Sequence, residues 1–353
     1  MPTLAPPRPP VEGPSAWIGR DLRAREHEWM YRLSDAEIGE IEAATSTART
    51  RGLDLADIGR ADFPLPKFGP VLDRLREEIL NGRGFVLIRG LPVEGRPTEA
   101  SATAYWGIGT YLGKARSQNA KGHLLGHVRD LGLATSDPNV RTYQTTERQH
   151  FHTDSCDIVG LLCLRPAKRG GLSSLTSSMA IYNTMATRRP DLVARLFEPF
   201  PTDRRGEVPA GKKPYFDIPV YNDYAGYLSA IYSRTYINSG QRFADARRLA
   251  PEDVEALDYF DELANDGDLR LDMALQAGDM QFVHNHTILH DRTAFEDWPE
   301  PENKRHLLRL WLAALGARPL PPVYAERYGS TRIGDRGGII CPDTKLHAPL
   351  EPV

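Results

Sequence analysis

A histidine and an aspartate stand two positions apart at His152 and Asp154, and both are side chains that bind transition metals. Side chains two apart on a strand point to the same face, so this pair can bind one ion from one wall. A third ligand must then come from elsewhere in the chain. Two imidazoles and one carboxylate on one side of Fe(II) leave three coordination positions open, as in the facial triad of non-haem oxygenases.

The candidate third ligand lies far downstream, where a Gly-Asp turn leads into an apolar run that ends at His290. His284 and His286 share the strand parity of His290, and His150 shares that of His152. Spacing alone therefore leaves these other histidines open as alternative ligands.

Two arginines, Arg305 and Arg309, follow this segment and are four residues apart, so they share strand parity. A guanidinium offers a planar fork of donors that matches a carboxylate in a bidentate way. An arginine of this kind inside a barrel is what the distal carboxylate of 2-oxoglutarate would require.

In their order, these motifs resemble the taurine dioxygenase/TfdA family, within the clavaminate-synthase-like superfamily of Fe(II)- and 2-oxoglutarate-dependent oxygenases. The resemblance spans roughly residues 80 to 315. It is carried by an early strand at 84–90, His152-Thr153-Asp154, the segment 170–177, Asn285 five residues before His290, and Arg305 with Arg309. The ordered set is specific, although each piece alone is not.

The resemblance implies that His152, Asp154 and His290 bind the iron and that Arg305 binds the far carboxylate of 2-oxoglutarate. The implied cosubstrates are 2-oxoglutarate and dioxygen, and the implied reaction is oxidation of an unactivated C–H bond with release of succinate and CO2. Hydroxylation is the favoured outcome, with desaturation, ring closure and demethylation left open. Because Asp154 completes the triad, halogenation is disfavoured, since related halogenases open that position for a halide.

Further roles follow from the same resemblance. Ser173 falls where such enzymes place a hydroxyl that hydrogen-bonds the far carboxylate, and Thr176 is the alternative. Arg309 matches an arginine that often meets an anionic group of the substrate, and Gln118 matches a glutamine that lines the substrate pocket in amino-acid hydroxylases. The expected substrate is therefore small and anionic or amino-acid-like. The chain departs from the common Asn-Arg pair, because Asn285 is followed by histidine.

Structural interpretations compete with functional ones at several nearby residues. Arg292 lies close to Asp291 and Glu296, which favours a structural ion pair over an anion ligand. Cys156 is more commonly a buried free thiol than a metal ligand. Asp157 could face the pocket or form a salt bridge, and the sequence leaves both open.

Two other functions compete with the oxygenase: a metal- or acid-binding barrel without turnover, and a zinc-type hydrolase in which the same ligands would activate water. A passive barrel needs no buried guanidinium such as Arg305. A hydrolase needs a general base nearby, for which the sequence offers only His150 or Asp157. The oxygenase is therefore the favoured function.

Composition narrows the class of protein. The chain has 353 residues with 41% hydrophobic content, which is enough for a large core. Its 44 Lys and Arg residues are scattered among 47 acids, for a net charge of -3, so nucleic acid is not an expected partner. The oligomeric state is left open, with a homodimer as one alternative.

Cysteine usage and hydropathy predict the compartment. The three cysteines have no Cys-x-x-Cys spacing, so neither a disulfide framework nor a zinc knuckle is indicated. The proline-rich first residues contain no apolar signal-peptide core, and no window approaches the roughly 18 apolar residues of a membrane span. We therefore expect a cytoplasmic protein with no membrane partner.

The pattern of elements predicts a mainly β protein with flanking helices, in the form of a double-stranded β-helix, or jelly-roll barrel, whose mouth holds the metal. Helices are predicted from about Ser34, over 70–81, 98–112 and 251–264, and strands over 85–88, 158–165, 172–177 and 281–289. The stretch 113–140 is predicted as a long loop over the site. The expected domain organisation is a tail at 1–15 and one oxygenase domain at 16–353, with a barrel core at about 80–315 and an extension at 316–353.

Overall fold

The computed structural model describes residues 7–133 and 141–352. Its α-helices are α1 (Gly19–Arg23), α2 (Glu26–Trp29), α3 (Asp35–Thr50), α4 (Phe68–Asn81), α5 (Thr98–Leu112), α6 (Ser178–Arg188), α7 (Pro190–Arg195), α8 (Arg234–Gly240), α9 (Pro251–Asn265) and α10 (Ala325–Tyr328). Single 3-10 turns occur at Leu55–Asp57, Arg60–Asp62, Thr142–Gln144 and Pro322–Tyr324. Within these residues, no helix has the length and apolar character that crossing a membrane requires.

The strands outnumber the helices and form the centre of the molecule. They are β1 (Met30–Arg32), β2 (Phe85–Arg89), β3 (Lys114–Ala115), β4 (Leu125–Val128), β5 (Gln149–His152), β6 (Ile158–Arg165), β7 (Arg169–Gly170), β8 (Ser173–Ser177), β9 (Pro199–Asp203), β10 (Tyr215–Pro219), β11 (Tyr221–Tyr224), β12 (Tyr227–Ala230), β13 (Arg270–Met273), β14 (Met280–His284), β15 (Ile288–Arg292), β16 (Phe295–Glu296) and β17 (His306–Ala313).

Two sheets position the site. The larger one has the order β1-β2-β14-β6-β17-β3, with β4 also paired to β17, and the smaller one has the order β13-β8-β15-β5. The chain alternates between them, because β5 lies in the smaller sheet and β6 in the larger, and β13, β14, β15 and β17 alternate in the same way. The remaining strands form three separate two-stranded pairs, β9 with β10, β11 with β12, and β7 with β16.

The two sheets pack face to face through apolar side chains. The shared core contains residues of the larger sheet, such as Phe85, Val159 and Val283, and residues of the smaller sheet, such as Leu175 and Ile288. The outer face of the larger sheet is covered by α3, α4 and α5, and the smaller sheet by α6, α7 and α9. Alternate residues of β2 serve the two faces, as the pleat of a strand requires.

Several predicted elements are confirmed. Ser34 is the N-cap of α3 and forms a capping box with Glu37, whose side chain accepts from the Ser34 backbone N–H at 2.8 Å. This reciprocal arrangement satisfies two N–H groups that a helix start otherwise leaves unpaired. Helix α5 has the predicted bounds, α4 begins two residues earlier than predicted, and α9 ends one residue later.

The prediction of one strand over 281–289 is wrong. The run divides into β14, which ends at His284 in the larger sheet, and β15, which begins at Ile288 in the smaller sheet. A turn joins them, in which the Thr287 N–H donates to the His284 carbonyl at 3.2 Å. Because the chain changes sheet here, strand parity does not relate His284 to His290.

The prediction of a loop over 113–140 needs correction, and a region of mixed structure was missed. The stretch contains β3 and β4, which both pair with β17, and its residues 134–140 lie outside the described residues. Between β8 and β13 the chain forms helices α6, α7 and α8 and strands β9 to β12, where only short strands and one helical insertion were expected.

Candidate active site

Two histidines face each other across the smaller sheet. His152 on β5 and His290 on β15 are directly opposite in an antiparallel register, so their side chains lie on one face, with ring centroids 4.2 Å apart. Asp154 follows two residues after His152, with its carboxylate oxygens 3.8 Å from His152 Nε2 and 3.7 Å from His290 Nε2. The three possible ligand atoms lie within 4.8 Å of one another.

The candidate ligands are held by neighbours. Asn285 accepts a hydrogen bond from the Asp154 backbone N–H at 2.9 Å, and Trp311 Nε1 donates to the Asp154 carboxylate at 2.8 Å. His152 Nδ1 lies 2.8 Å from the carbonyl oxygen of His150, which fixes the ring so that Nε2 faces the site. Such outer contacts orient metal ligands. The roles of Asn285 and Trp311 were not predicted, although Trp311 continues the parity of the two arginines.

The electrostatics favour the protonation states that bind a metal. Burial and the neighbouring His290 lower the pKa of His152 to about 3. Burial alone would raise the pKa of Asp154, but the charge of Arg309 and contacts with the two histidines outweigh it and hold that pKa well below its usual range. Histidine binds a metal as the neutral imidazole, and aspartate binds it as the ionised carboxylate. Two nitrogens and one oxygen on one side fit Fe(II).

The competing histidines lie elsewhere. His150 is exposed, while His284 and His286 are fully buried and contact other polar side chains: His284 Nδ1 lies 3.0 Å from the Thr287 hydroxyl. His286 Nε2 lies 2.9 Å from Asp157, which is also ion-paired with Arg336 at 2.7 Å. Asp157 and Arg336 therefore form a buried structural ion pair. Cys156 is a buried free thiol, as expected.

A narrow cavity of about 30 Å³ lies on one side of the candidate metal ligands. Arg305 lines it, is only 4% exposed, and stacks on Phe295 with 5.1 Å between its guanidinium carbon and the ring centroid. Its Nη1 has no hydrogen-bond partner among residues 7–133 and 141–352. Burial lowers the pKa of Arg305 to about 10, so it stays charged at neutral pH. An unpaired buried cation fits the distal carboxylate of 2-oxoglutarate.

Of the two candidate hydroxyls, the structure brings only Ser173 to this cavity. Ser173 is the register partner of Arg292 on β15 and lines the cavity, where its hydroxyl donates to Gln281 at 2.8 Å. Thr176 is the register partner of Leu289, so its side chain lies on the opposite face of the sheet. The alternative placed on Thr176 is therefore wrong on grounds of strand parity.

The expected ion pairs of Arg292 are also absent from the described structure. Asp291 pairs with Arg148 at 2.8 Å, and Glu296 pairs with Lys168 at 2.6 Å. Arg292 instead donates to backbone carbonyls and lines the narrow cavity beside Arg305.

A wider cavity of about 630 Å³ opens on the other side, lined by His152 and Asp154. Arg309 lines both cavities, donates through Nε to Gln118 at 2.7 Å, and lies 3.6 Å from the Asp154 carboxylate. Tyr143 packs on its guanidinium at 4.7 Å. Gln118 also lines the wide cavity, and its amide nitrogen donates to the Arg309 carbonyl at 2.8 Å, so it fixes the position of that arginine.

The C-terminal extension returns to this wide cavity. Arg327 on α10 lines it and donates to the Ser155 hydroxyl at 2.6 Å, and Ile339 lines it as well. The backbone N–H of Gly338 donates to the Ser155 carbonyl at 2.7 Å. The extension therefore contacts the residue next to Asp154, a role that no local sequence pattern predicted.

Comparison with known proteins decides the family. The family model described as taurine catabolism dioxygenase TauD, TfdA family, matches residues 49–311. The chain belongs to this family. As a TauD/TfdA protein with the His152, Asp154 and His290 cluster, it is an Fe(II)- and 2-oxoglutarate-dependent dioxygenase.

Relatives of this TauD/TfdA protein cover most of its length. FR-33289 synthase of Streptomyces rubellomurinus (strain ATCC 31215) is 33% identical over 316 residues, 88% of this chain and 93% of the relative. The taurine hydroxylase-like protein SAT17 of Stachybotrys chartarum (strain CBS 109288 / IBT 7711) is 33% identical over 306 residues, 84% and 77% of the two chains. An asparagine oxygenase crystallised with Fe(II), 2S,3S-3-hydroxyasparagine and succinate has a similar fold, with a TM-score of 0.64 at 16% identity over 80% of this chain and 93% of that one.

Proposed function

We propose that this dioxygenase hydroxylates an unactivated C–H bond of a small anionic or amino-acid-like substrate. The observation that carries the proposal is the position of the ligand cluster between two cavities of different character. The narrow cavity is lined by Arg305, which has no ion pair among the described residues, and Arg309 lines the wide one. His152 lines both, so groups bound in either cavity lie next to the metal ligands.

Each residue has a defined task in this proposal. His152, Asp154 and His290 hold Fe(II), with Asp154 kept ionised by Arg309 and oriented by its hydrogen bonds. Fe(II) with 2-oxoglutarate and dioxygen supplies the oxidising power that breaks a C–H bond, with release of succinate and CO2. Asn285, Trp311 and the His150 carbonyl orient these ligands before the iron binds.

The narrow cavity is the proposed cosubstrate site. Arg305 donates two charge-assisted hydrogen bonds to the distal carboxylate, which offsets the cost of burying this guanidinium. Ser173 donates to the same carboxylate after its hydroxyl turns from Gln281. Gln149, whose amide lies 2.9 Å from His152 Nε2, must also release that ring nitrogen when the metal binds.

The wide cavity is the proposed substrate site. Arg309 binds a carboxylate or comparable anion of the substrate there, and Gln118 holds the guanidinium in place. Burial of the guanidinium between Tyr143 and Trp311 reduces competition from water and strengthens this contact. The substrate's C–H bond is thereby fixed beside His152 and Asp154.

The wider architecture and setting complete the proposal. The alternation of the chain between two facing sheets supports a double-stranded β-helix, in one oxygenase domain over 16–353. The three unpaired cysteines support a reducing, cytoplasmic setting. A hydrolase has less support, because Asp157 is ion-paired with Arg336 and the exposed His150 side chain has no hydrogen bond to the described residues that would orient it as a base.

The test is succinate formation. Anaerobically purified protein is given Fe(II) and 2-oxoglutarate, then air, with a pool of small acids and amino acids. We expect succinate from the native chain and almost none from Asp154→Ala or Arg305→Ala. Asp272→Ala, an exposed carboxylate on β13, is the matched control and should behave like the native chain. No succinate from native protein shown to bind iron but not 2-oxoglutarate would contradict the proposal.

A further inference from the structure

Arg292 is a further buried guanidinium that lines the narrow cavity, in addition to Arg305 and Arg309. It is 6% exposed and lies two residues after His290 on the same face of β15. Its guanidinium carbon lies 4.8 Å from the centroid of Phe295, the ring on which Arg305 also stacks. Two cations therefore share one aromatic ring and one cavity.

No carboxylate among the residues that the structure describes forms an ion pair with either cation. Asp291, the nearest acid in sequence, is ion-paired with Arg148 at 2.8 Å. Asp297 accepts from the backbone N–H of Arg305 at 2.7 Å and from that of Trp298. Arg292 and Arg305 are thus two buried positive charges, and neither has an ion-paired carboxylate in the described chain.

The hydrogen bonds of Arg292 leave part of its guanidinium unused. Nη1 donates to the Thr145 carbonyl at 3.0 Å and Nη2 to that of Glu147. Nε is buried without a partner in the described chain. Carbonyl oxygens are dipoles that hold the group in place but do not neutralise it. Buried charges left uncompensated are strongly destabilising.

We propose that Arg292 is a positioning and selectivity residue of the cosubstrate site, adding a second positive charge that selects a 2-oxo acid with an anionic far end. Its register partner Ser173 lies across the strand pair and lines the same cavity, so the hydroxyl, Arg292 and Arg305 surround one volume. A dicarboxylate supplies the negative charge that this volume lacks.

The test rests on the proposed function and compares two ligands. 2-Oxovalerate differs from 2-oxoglutarate in carrying a methyl group where the distal carboxylate stands. Dissociation constants of both acids are measured by calorimetry on the Fe(II)-loaded protein without oxygen. The dissociation constant of 2-oxovalerate divided by that of 2-oxoglutarate measures recognition of the far carboxylate, because both acids chelate the metal in the same way.

We expect Arg292→Gln to lower this ratio by about 10-fold, which is less than the full cost of truncating one partner of a buried charge pair, because Arg305 remains. The affinity for 2-oxovalerate should hardly change. Arg292→Lys keeps the charge and should retain most of the ratio. Arg165→Gln is the control, because this half-buried arginine also donates to a backbone carbonyl but does not line the cavity.

A purely structural Arg292, acting through the carbonyls of Thr145 and Glu147, would give a different result. Arg292→Gln would then weaken the binding of both acids equally, and Arg292→Lys would have the same effect as Arg292→Gln. Either result, or an unchanged ratio, overturns the inference. Failure of the proposed function itself is distinguishable, because the native protein would then show no preference for 2-oxoglutarate and form no succinate.

Discussion

Arg305 and Arg309 lie four residues apart on one face of the chain, and both are at least nine-tenths buried, yet their surroundings differ. Arg309 already contacts a carboxylate, a glutamine amide and two aromatic rings, whereas Arg305 has a ring contact and a nitrogen without a partner in the described residues. The narrow end of the site therefore depends on a ligand for its charge balance, and the wide end does not.

This difference matches the proposed ligands of the two ends. A cosubstrate used in every turnover can supply a fixed counter-charge, so the protein can leave Arg305 unpaired. At the substrate end, Asp154 balances Arg309 before any substrate arrives. The cavity there can then vary in its other lining residues without exposing the metal site to an uncompensated charge.

The largest effect is expected at the narrow end. Arg305→Gln removes the charge while keeping hydrogen-bond donors, and the KM for 2-oxoglutarate should rise by about 100-fold, within the 2 to 5 kcal/mol expected for truncating a buried charge pair. Succinate formation at increasing 2-oxoglutarate concentration measures it. The KM of the primary substrate should hardly move. A rise of similar size in the KM for 2-oxoglutarate and in the KM of the primary substrate would show that the two cavities do not act as separate sites.

A smaller effect is expected at the wide end. Arg309→Gln should raise the KM of the substrate by about 30-fold, the low end of the 2 to 5 kcal/mol expected for truncating one partner of a buried charge pair. The measurement is stimulation of succinate formation by the active member of the acid pool. The KM for 2-oxoglutarate should change little. An unchanged response to substrate would remove Arg309 from the substrate site.

Local periodicity explains why much of this could be predicted from the sequence. Helix α3 begins at Ser34 because its capping box is encoded within four residues, and α5 has the predicted bounds. The two-residue spacing of His152 and Asp154, with the family resemblance for His290, predicted the three side chains that the structure brings together.

The remaining features depend on contacts that periodicity does not contain. Strand parity would place His284 and His290 on the same face only if one strand contained both. The chain changes sheet between them, so the parity argument does not apply. The partners of Arg292 are set by a loop more than a hundred residues away. The return of Arg327 to the wide cavity is likewise a tertiary contact, without a signal in its own segment.

The smallest of the three effects concerns Gln118, which holds Arg309 without adding charge. Gln118→Ala removes the acceptor of one guanidinium hydrogen bond, and a loss of about 1 to 2 kcal/mol predicts a rise in the substrate KM of roughly 5- to 30-fold at most. Because Arg309 keeps its charge and its contact with Asp154, the effect should stay below that of Arg309→Gln. The matched control is Gln276→Ala, an exposed glutamine outside both cavities. If Gln118→Ala equalled Arg309→Gln in its effect on substrate while leaving the KM for 2-oxoglutarate unchanged, the glutamine would itself bind the substrate, and the wide end would depend on two direct contacts instead of one.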